Sequence, residues 1–378
     1  MDHELPTPDL DPAPRLDDSG HYRIYRIRPD SAYADEWMGT KAKFWIELGD
    51  GRRWLFKFNR DRDRTRPGEG EPTGDDWAEG IAGELAKLLG LPCCVSYLAE
   101  YQDPRRGPRR GVALWDFTRI EVSAPDERRV WASFGPLEHG NQLLYQNDPD
   151  NYDPDIRRGQ KKHTPDRVLN HLAGRDGPGK LLDTSVAAPL RLPGRDDHVS
   201  DRWNNADAIF VGYLLLDAWI GNTDRHHENW GVIDLASEPR DQRHDASRPH
   251  FFCLAPTYDH AASLGANLTD AERQERLTTK DRNRTLAAYL DRGRSAFYAE
   301  GDAPGKPLPM IEVFRRAAAL EPEAARDWLD RLDAVGPDAW QTVLNRVPLS
   351  RMTDTARTFV DHFLTETRRR LLNLKITP

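Results

Sequence analysis

The first part of the chain alternates apolar and polar residues in short runs. Residues 22–27 and 43–48 alternate, a Gly-Asp-Gly turn follows at residues 49–51, and the alternation resumes over residues 54–58. Alternation on both sides of a glycine-rich turn is typical of a β-hairpin. The pattern therefore predicts a sheet in this region, with Lys57 near the end of one hairpin strand.

A helix and two more strands follow the predicted hairpin. Residues 77–89 carry apolar side chains at helical spacing, and Gly90 and Pro92 end that pattern. Residues 95–100 and 112–117 alternate again around a basic turn. Together these runs predict a small antiparallel sheet with one main helix.

Helical patterns dominate the chain after these strands. Residues 166–172 and 204–220 are predicted helices, and a stripe of apolar residues over 352–372 predicts a third. A second hairpin, with strands at residues 230–234 and 250–254, is predicted between them. The change from alternation to helical spacing predicts an α+β protein.

The same change divides the chain into three parts. We expect a flexible tail at residues 1–20, a strand-rich part at 21–117 and a mainly helical part at 118–378. The tail holds prolines and carboxylates but no basic start with an apolar run, so it is not typical of a secretory signal. The most apolar run, residues 208–216, is far shorter than the roughly 20 residues that span a bilayer. No membrane segment is predicted.

Composition limits the classes of partner. With 38% hydrophobic residues among 378, the chain is long enough for a real core. Its formal charge of −8 repels polyanions, so we expect no direct binding of nucleic acid. Two Arg-rich stretches, residues 105–110 and 273–294, are interpreted as solvated surface because they lie in a turn or alternate with carboxylates. Cys93, Cys94 and Cys253 form no CxxC pair, which favours a reducing, cytoplasmic setting.

A dense polar cluster directly follows the predicted helix at residues 204–220. In it, Asp224 and Asn229 lie five positions apart, which suits a loop that folds both oxygens toward one point. A second apolar run, residues 251–258, leads directly to Asp259. Two carboxylates and an amide form an all-oxygen ligand set of the kind that binds magnesium and its phosphate partners.

Phosphoryl transfer also needs a strand lysine beside the phosphates and a helix glutamate to hold that lysine. Lys57 lies between large apolar residues on its predicted strand, so its ammonium needs an anionic partner. Glu79 and Glu84 on the following helix are the two candidates. A candidate loop over the phosphates precedes the hairpin and contains Gly39, Thr40 and Lys41.

Two segments resemble those of a known family, the HipA-like serine/threonine kinases. Residues 221–229, GNTDRHHEN, resemble the catalytic segment of that family, and residues 254–259, LAPTYD, resemble its metal-binding segment. The resemblance extends in order over residues 22–372. It implies a two-lobed, protein-kinase-like α+β fold with a small antiparallel-sheet N-lobe and a larger, mainly helical C-lobe.

The resemblance also implies an activity and its metal site. The implied activity is transfer of the γ-phosphoryl group from ATP, with Mg²⁺, to a Ser or Thr hydroxyl of a protein. Asp224 would be the catalytic aspartate, and Asn229 and Asp259 would bind magnesium. His226 would support the catalytic loop by hydrogen bonding.

On the nucleotide side, the resemblance implies that Lys57 is the lysine that binds the phosphates. The family's helix pattern favours Glu79 over Glu84 as the glutamate. The interlobe hinge that would lie against adenine consists of Trp115, Asp116 and Phe117. An antitoxin-like protein partner is a further implication of the family.

The chain departs from the family at two places. HipA proteins usually carry an extra small N-terminal subdomain, whereas here about twenty residues precede the first predicted strand, which implies a short form. The family's phosphate loop often holds a serine that is autophosphorylated. This loop offers Thr40 instead, with Ser31 further upstream.

Other interpretations of the polar residues stay open. The same residues would serve a lipid or small-molecule kinase, or a non-catalytic nucleotide-binding module that a partner regulates. A zinc hydrolase built on His226, His227 and Asp259 is disfavoured, because adjacent histidines point in different directions and no further ligand follows at a known spacing. Residues 174–180 mimic the start of a Walker A loop, but Leu181 replaces the metal-binding Ser or Thr.

Overall fold

Six strands near the start of the chain form one sheet in the computed structural model, which describes residues 16–29, 32–35, 42–47, 52–62, 71–123, 129–133, 135–156, 159–174, 205–234, 252–299 and 305–376. The strands are β1 (Tyr25–Ile27), β2 (Ala32–Asp35), β3 (Lys43–Glu47), β4 (Arg53–Phe58), β5 (Ser96–Asp103) and β6 (Gly107–Trp115). Their order is β1-β5-β6-β4-β3-β2, and every neighbouring pair is antiparallel except β1 and β5. The predicted sheet is therefore present, with one parallel edge that makes it mixed.

The predicted first hairpin is formed by β3 and β4. Phe44 pairs with Phe56 and Ile46 pairs with Trp54, and all four side chains are buried. Because side chains alternate along a strand, Lys57 lies on the opposite face of β4 from Trp54 and Phe56. It is nevertheless only 8% exposed. The hairpin thus builds the core of the sheet and also buries one lysine on its other face.

Helix α1 (Asp75–Leu89) is the main helix that the sequence pattern predicts, and it packs against β5 and β6. It begins before the predicted residue 77, with Asp75 and Asp76 in its first turn, where carboxylates stabilise a helix N-terminus. It ends at Gly90, whose left-handed φ of 73° supplies the C-cap. Both ends of the helix therefore follow from local sequence.

The chain forms more strand than its apolar pattern predicts. Strands β5 and β6 extend through most of the basic stretch predicted as a turn, with Arg110 paired to Glu100, so that the turn is residues 104–106. Two further strands, β7 (Arg119–Ser123) and β8 (Arg129–Ser133), form a separate antiparallel pair. Charged residues do not interrupt a strand face that is open to water, so apolar alternation underestimates such strands.

Helices account for most of the remaining elements, as predicted. They are α2 (Gly140–Asn147), α3 (Pro165–Leu172), α4 (Ala206–Ile220), α5 (Asp270–Thr278), α6 (Leu286–Arg292), α7 (Met310–Leu320), α8 (Pro322–Ala334), α9 (Pro337–Arg346) and α10 (Asp354–Leu372). Helix α4 is buried along its whole length and packs against α7, α8 and α10. The predicted second hairpin is formed by β10 (Gly231–Asp234) and β11 (Phe252–Leu254), to which β9 (Leu137–His139) adds a third strand. Within the described ranges, no helix has the length and apolar character to cross a membrane.

A segment between α9 and α10 joins the helical part to the first sheet. Arg351 Nη1 lies 3.2 Å from Asp76 Oδ2 at the start of α1, and its Nη2 lies 3.3 Å from Glu100 Oε2 on β5. Arg110 brings a second guanidinium to the Asp76 carboxylate and donates to the carbonyl oxygen of Arg351 at 2.7 Å. Asp76 is 0% and Arg351 5% exposed, so these charges are buried and depend on one another.

Candidate active site

Helix α4 delivers the polar loop at the point where it ends. Gly221 follows the helix with a φ of 66°, and a Cβ added there would lie 2.4 Å from the Phe363 ring, so only glycine fits. The Asn222 side chain then donates to Asp217 Oδ1 at 2.8 Å and accepts the Asp224 backbone N–H at 3.1 Å. These contacts turn the chain out of the core and bring Asp224 to a partly exposed position.

Arg225 is the centre of this loop, and it is 1% exposed. Its guanidinium binds both carboxylate oxygens of Asp217 at 2.8 Å and donates to Thr257 Oγ1 at 2.8 Å. It also donates to the backbone oxygens of Asn229 at 2.7 Å and Tyr258 at 3.1 Å. Burial by itself lowers the pKa of Arg225, but Asp217 raises it above its usual value. One fixed cation thus ties the loop of Asp224 to the segment that leads to Asp259.

Asn229 and His226 shape the loop from within. Asn229 Nδ2 donates to the backbone oxygen of Asp224 at 2.7 Å, which leaves its Oδ1 as the atom that could ligate a metal. The His226 ring accepts the backbone N–H of Glu228 at 3.2 Å. A hydrogen bond of this kind is what a residue that supports the loop would make. The role of His226 in catalysis stays a prediction.

Asp259 meets Lys57 across the site. Lys57 Nζ lies 3.2 Å from Asp259 Oδ1, so β4 of the sheet and the segment after β11 converge at this pair. Asp259 has a φ of +61°, a backbone conformation that aspartate tolerates better than most residues. Burial by itself lowers the pKa of Lys57, but the charges of Asp259 and Glu79 raise it above its usual value. Lys57 therefore stays an ammonium ion at neutral pH.

Glu79 lies next to this pair but contacts a different residue. Its Oε1 is 3.2 Å from Nδ1 of His260, and the Glu79 and His260 side chains are 3% and 0% exposed. Burial by itself raises the pKa of Glu79, but the hydrogen bond from His260 keeps it below its usual value. Glu84, the other candidate, forms an ion pair with Lys87 on the same helix. The structure thus brings Glu79 close enough to Lys57 to affect its pKa, while the ion pair of Lys57 is with Asp259.

The predicted hinge residues are buried at the edge of the sheet. The backbone N–H of Trp115 donates to Val95 at 2.9 Å and that of Asp116 donates to Arg53 at 3.0 Å, so both donors are engaged within the protein. The Phe117 ring lies against Tyr258, with ring centroids 5.7 Å apart. The expected contact of this backbone with adenine stays a prediction.

A cavity of about 380 Å³ opens beside Asp224. It is lined by Asp224, and from the helical part by Gln160, Ser295 and Tyr298. Backbone hydrogen bonds fix this lining, because Tyr298 N–H donates to the oxygen of His163 at 3.0 Å. The Asp224 carboxylate therefore faces a preformed space.

The oxygen ligands fit magnesium better than zinc. Asp259 already faces a cation, the Lys57 ammonium. Asn229 offers an amide oxygen in the loop that Arg225 ties to the segment of Asp259. In the part of the chain that the structure describes, no three His, Cys, Asp or Glu residues form a cluster able to hold a metal. The His227 ring instead contacts Tyr152 Oη at 2.6 Å, and burial lowers its pKa to about 4. The sequence-based objection to a zinc site on His226 and His227 agrees with this arrangement.

Several predicted residues lie outside the described ranges. These are Ser31 and the candidate phosphate loop of Gly39, Thr40 and Lys41, together with all but the first residue of the Walker-like stretch 174–180. That stretch follows helix α3, as the pattern predicts, rather than a strand.

Sequence reasoning missed the parts played by Arg225 and His260. Arg225 lies inside the resembling motif, but its role follows from Asp217, a carboxylate in the last turn of a mainly apolar helix. A buried carboxylate needs a cation or hydrogen-bond donors, so Asp217 was a signal in the sequence for a buried partner. No comparable signal pointed from His260 to Glu79, which lies 181 positions away.

Comparison with known proteins identifies the fold of this chain but no family. No protein-family model matches the chain, and no curated protein matches it by sequence. The crystal structure of CtkA, a proinflammatory kinase of Helicobacter pylori, matches over 92% of this chain and 96% of its own, with a TM-score of 0.57 and 17% identity. This likeness establishes a protein-kinase-like fold and confirms the predicted fold class.

Two further solved structures match less well. HipA of Shewanella oneidensis MR-1, from a toxin–antitoxin complex with HipB and operator DNA, matches over 89% of this chain and 64% of its own, with a TM-score of 0.47 and 14% identity. The Golgi casein kinase with Mn and ADP bound matches over 90% and 72%, with a TM-score of 0.40 and 13% identity.

Proposed function

We propose that this chain, which has a protein-kinase-like fold, transfers the γ-phosphoryl group of ATP to a serine or threonine hydroxyl of a protein, as a HipA-like kinase. The observation that carries the proposal is the 3.2 Å approach of Lys57 Nζ to Asp259 Oδ1. The lysine comes from the sheet and the carboxylate from the helical part, beside the loop of Asp224 and Asn229. Phosphoryl transfer requires this combination of a strand lysine, metal ligands and an aspartate beside the acceptor.

Asp224 acts on the acceptor in this proposal. Its carboxylate lines the 380 Å³ cavity, where an incoming hydroxyl would be oriented and would lose its proton late in the transfer. The transition state of phosphoryl transfer is loose, so positioning contributes more than proton abstraction. Arg225 supplies the positioning by fixing the loop, and His226 supports it through the Glu228 backbone.

The nucleotide side holds the phosphates. Magnesium held by Asn229 and Asp259 would neutralise charge that develops on the phosphate oxygens. Lys57 adds a buried ammonium, and Glu79 stays close to it. The proposed nucleotide site is completed by Gly39, Thr40 and Lys41 over the phosphates and by Trp115, Asp116 and Phe117 at the adenine.

A small-molecule acceptor is the second candidate. The observation that favours it is the size of the cavity beside Asp224, which falls within the range of roughly 300–1,000 Å³ found for small-ligand pockets. The same space also accepts a single Ser or Thr side chain of a protein.

Further parts of the proposal concern the organisation and setting of the protein. Residues 21–117 would be the nucleotide-binding lobe and residues 118–378 the catalytic lobe. A protein partner of the antitoxin kind would regulate it. A reducing, cytoplasmic setting is part of the proposal, and it is supported by three buried cysteines with no CxxC spacing among them.

The decisive experiment compares wild type with Asp224→Asn. Each protein is incubated with labelled ATP, magnesium and a cell lysate, and label in protein is separated from label in small molecules. Asp224→Asn should lower transfer by about 10²–10⁴-fold, the usual contribution of a positioned base, and leave ATP affinity nearly unchanged. Asp333→Asn, a change on an exposed carboxylate, serves as the matched control and should keep full activity.

The outcomes separate the candidates. Equal turnover in Asp224→Asn contradicts its assignment. If label appears only in small molecules, the acceptor is a small molecule and not a protein. ATP binding without any transfer by the wild-type protein contradicts the kinase proposal and leaves a nucleotide-binding module.

A further inference from the structure

His260 directly follows Asp259 and connects the sheet side of the site to the catalytic loop. Its Nδ1 lies 3.2 Å from Glu79 Oε1 on α1, and its Nε2 lies 2.8 Å from Thr257 Oγ1. The ring is 0% exposed, so neither contact competes with water. One buried imidazole therefore bridges two elements that come from different parts of the chain.

The neighbours of His260 hold its ring in place. Arg225 has only donors, and its Nη2 donates to Thr257 Oγ1 at 2.8 Å. Nε2 of His260 lies 2.8 Å from the same hydroxyl oxygen. Nδ1 faces the Glu79 carboxylate, a group with acceptors only, so the Nδ1–H donates to Glu79. A continuous line of contacts thus runs from Arg225 through Thr257 and His260 to Glu79.

This chain of hydrogen bonds uses only one oxygen of Glu79. The other, Oε2, is buried and has no hydrogen-bond partner among the residues that the structure describes. A buried carboxylate oxygen without a donor is costly, so a nearby cation has reason to bind it. After His260, whose hydrogen bond and charge lower the pKa of Glu79 most, the other cation that lowers this pKa is Lys57.

We propose that His260 is a positioning residue: it holds Glu79 Oε1 so that Oε2 can receive the Lys57 ammonium. The proposal rests on the proposed function, because it concerns the same phosphate site. Lys57 then has two carboxylate partners, Asp259 and Glu79, and Asp259 would be left able to hold magnesium. His260 couples the two because it is adjacent to Asp259 in the chain and hydrogen-bonded to Glu79.

The test uses two substitutions of His260 and one matched control. His260→Phe keeps a ring but removes both nitrogens, whereas in His260→Asn the side-chain amide can donate from the position of Nδ1. His171→Phe makes the same chemical change at another buried histidine, on α3, whose ring contacts Asn147. His260→Phe should weaken ATP–magnesium binding and lower kcat, each by roughly 10- to 100-fold, the usual worth of a hydrogen bond to a charged group.

Two kinetic readouts distinguish positioning from general damage to the fold. The KM for the phosphate acceptor should be unchanged in His260→Phe, since Glu79 and Thr257, the two residues that the His260 ring contacts, do not line the cavity beside Asp224. His260→Asn should recover most of the lost ATP affinity. His260→Asn as poor as His260→Phe, or a loss in His260→Phe no greater than in His171→Phe, overturns the proposal.

A third readout needs no turnover. Nitrogen-15 labelling of histidine and long-range nitrogen–proton spectra of the protein alone should show a proton on Nδ1 of His260, as donation to Glu79 requires. An Nδ1 without a proton overturns the contact with Glu79. If wild type binds ATP but transfers no phosphate, the proposed function fails, while the Nδ1 proton and the ATP affinities of the variants still decide the part played by His260.

Discussion

The loop of Asp224 and the segment of Asp259 supply similar oxygens to the candidate site, but the protein holds them in different ways. The loop is fixed by Arg225, which binds one buried carboxylate and two backbone oxygens. The Asp259 side is held by charged side chains instead. Lys57 forms an ion pair with Asp259, and the charge of Glu79 also acts on Lys57.

This difference separates a rigid half of the site from an adaptable one. Backbone oxygens cannot change their charge, so the Arg225 contacts stay the same whatever binds nearby. A magnesium ion or a phosphate changes the balance among Lys57, Asp259 and Glu79 directly, because it competes for the same charges. We therefore expect substitutions in the first half to act on stability and substitutions in the second to act on transfer.

The largest expected effect is on stability, in Arg225→Met. The change leaves Asp217 buried without its cation, which should lower the free energy of unfolding by about 3–5 kcal/mol in urea titrations. Arg331→Met, which removes a partly exposed ion pair with Asp327, should cost less than about 1 kcal/mol and is the control. A loss below about 1 kcal/mol for Arg225→Met would remove the basis for calling this half rigid.

Lys57→Met tests the adaptable half. Methionine fills the space of the lysine stem, and Asp259 is 28% exposed and can be hydrated, so the free energy of unfolding should change by less than about 1 kcal/mol. Phosphate transfer should fall by roughly 10²–10³-fold, because the buried ammonium no longer offsets phosphate charge. Lys87→Met, on the outer side of α1, should keep normal transfer rates. If Lys57→Met instead lowered the free energy of unfolding strongly and left phosphate transfer normal, Lys57 would belong to the rigid half of the site.

A smaller effect comes from pH and belongs to the loop half. Burial lowers the pKa of His227 to about 4, below the usual value of about 6.5 that it regains on unfolding. Between these values the unfolded chain binds more protons than the folded one, so stability falls as the pH falls. We expect a loss of about 1–2 kcal/mol between pH 7 and pH 5 from His227, measured by urea titration. His227→Gln should flatten this dependence, and an unchanged slope would show that another group causes it.

Local pattern was enough for the elements that carry the site. Alternation located β4 and its lysine, and the apolar run of α4 located the start of the polar loop of Asp224, because both depend on neighbours in the sequence. The parallel pairing of β1 with β5 was not predictable in this way, since Tyr25 pairs with Ala99 far along the chain. Apolar pattern likewise gave no sign of β7 and β8.

The same contrast between local sequence signals and contacts of distant residues applies to the candidate site. The residue types at Asp224, Asn229 and Asp259 suggested their chemistry, because hard oxygen ligands are recognisable from sequence alone. The partner of Glu79 was not recognisable, since hydrogen bonds between distant residues leave no period in the sequence. The sequence pattern assigns no role to His260, although its ring has two buried contacts.

The ion-pair cluster around Asp76 has a consequence for how the protein is made. Arg351 is synthesised 275 residues after Asp76, its buried partner at the start of α1. At ribosomal rates of about 5–20 residues per second, the nascent sheet and helix wait roughly 15–55 s for that guanidinium. Until then the Asp76 carboxylate has Arg110 but lacks Arg351, so the start of α1 gains its full set of ion pairs only after most of the helical part has been synthesised.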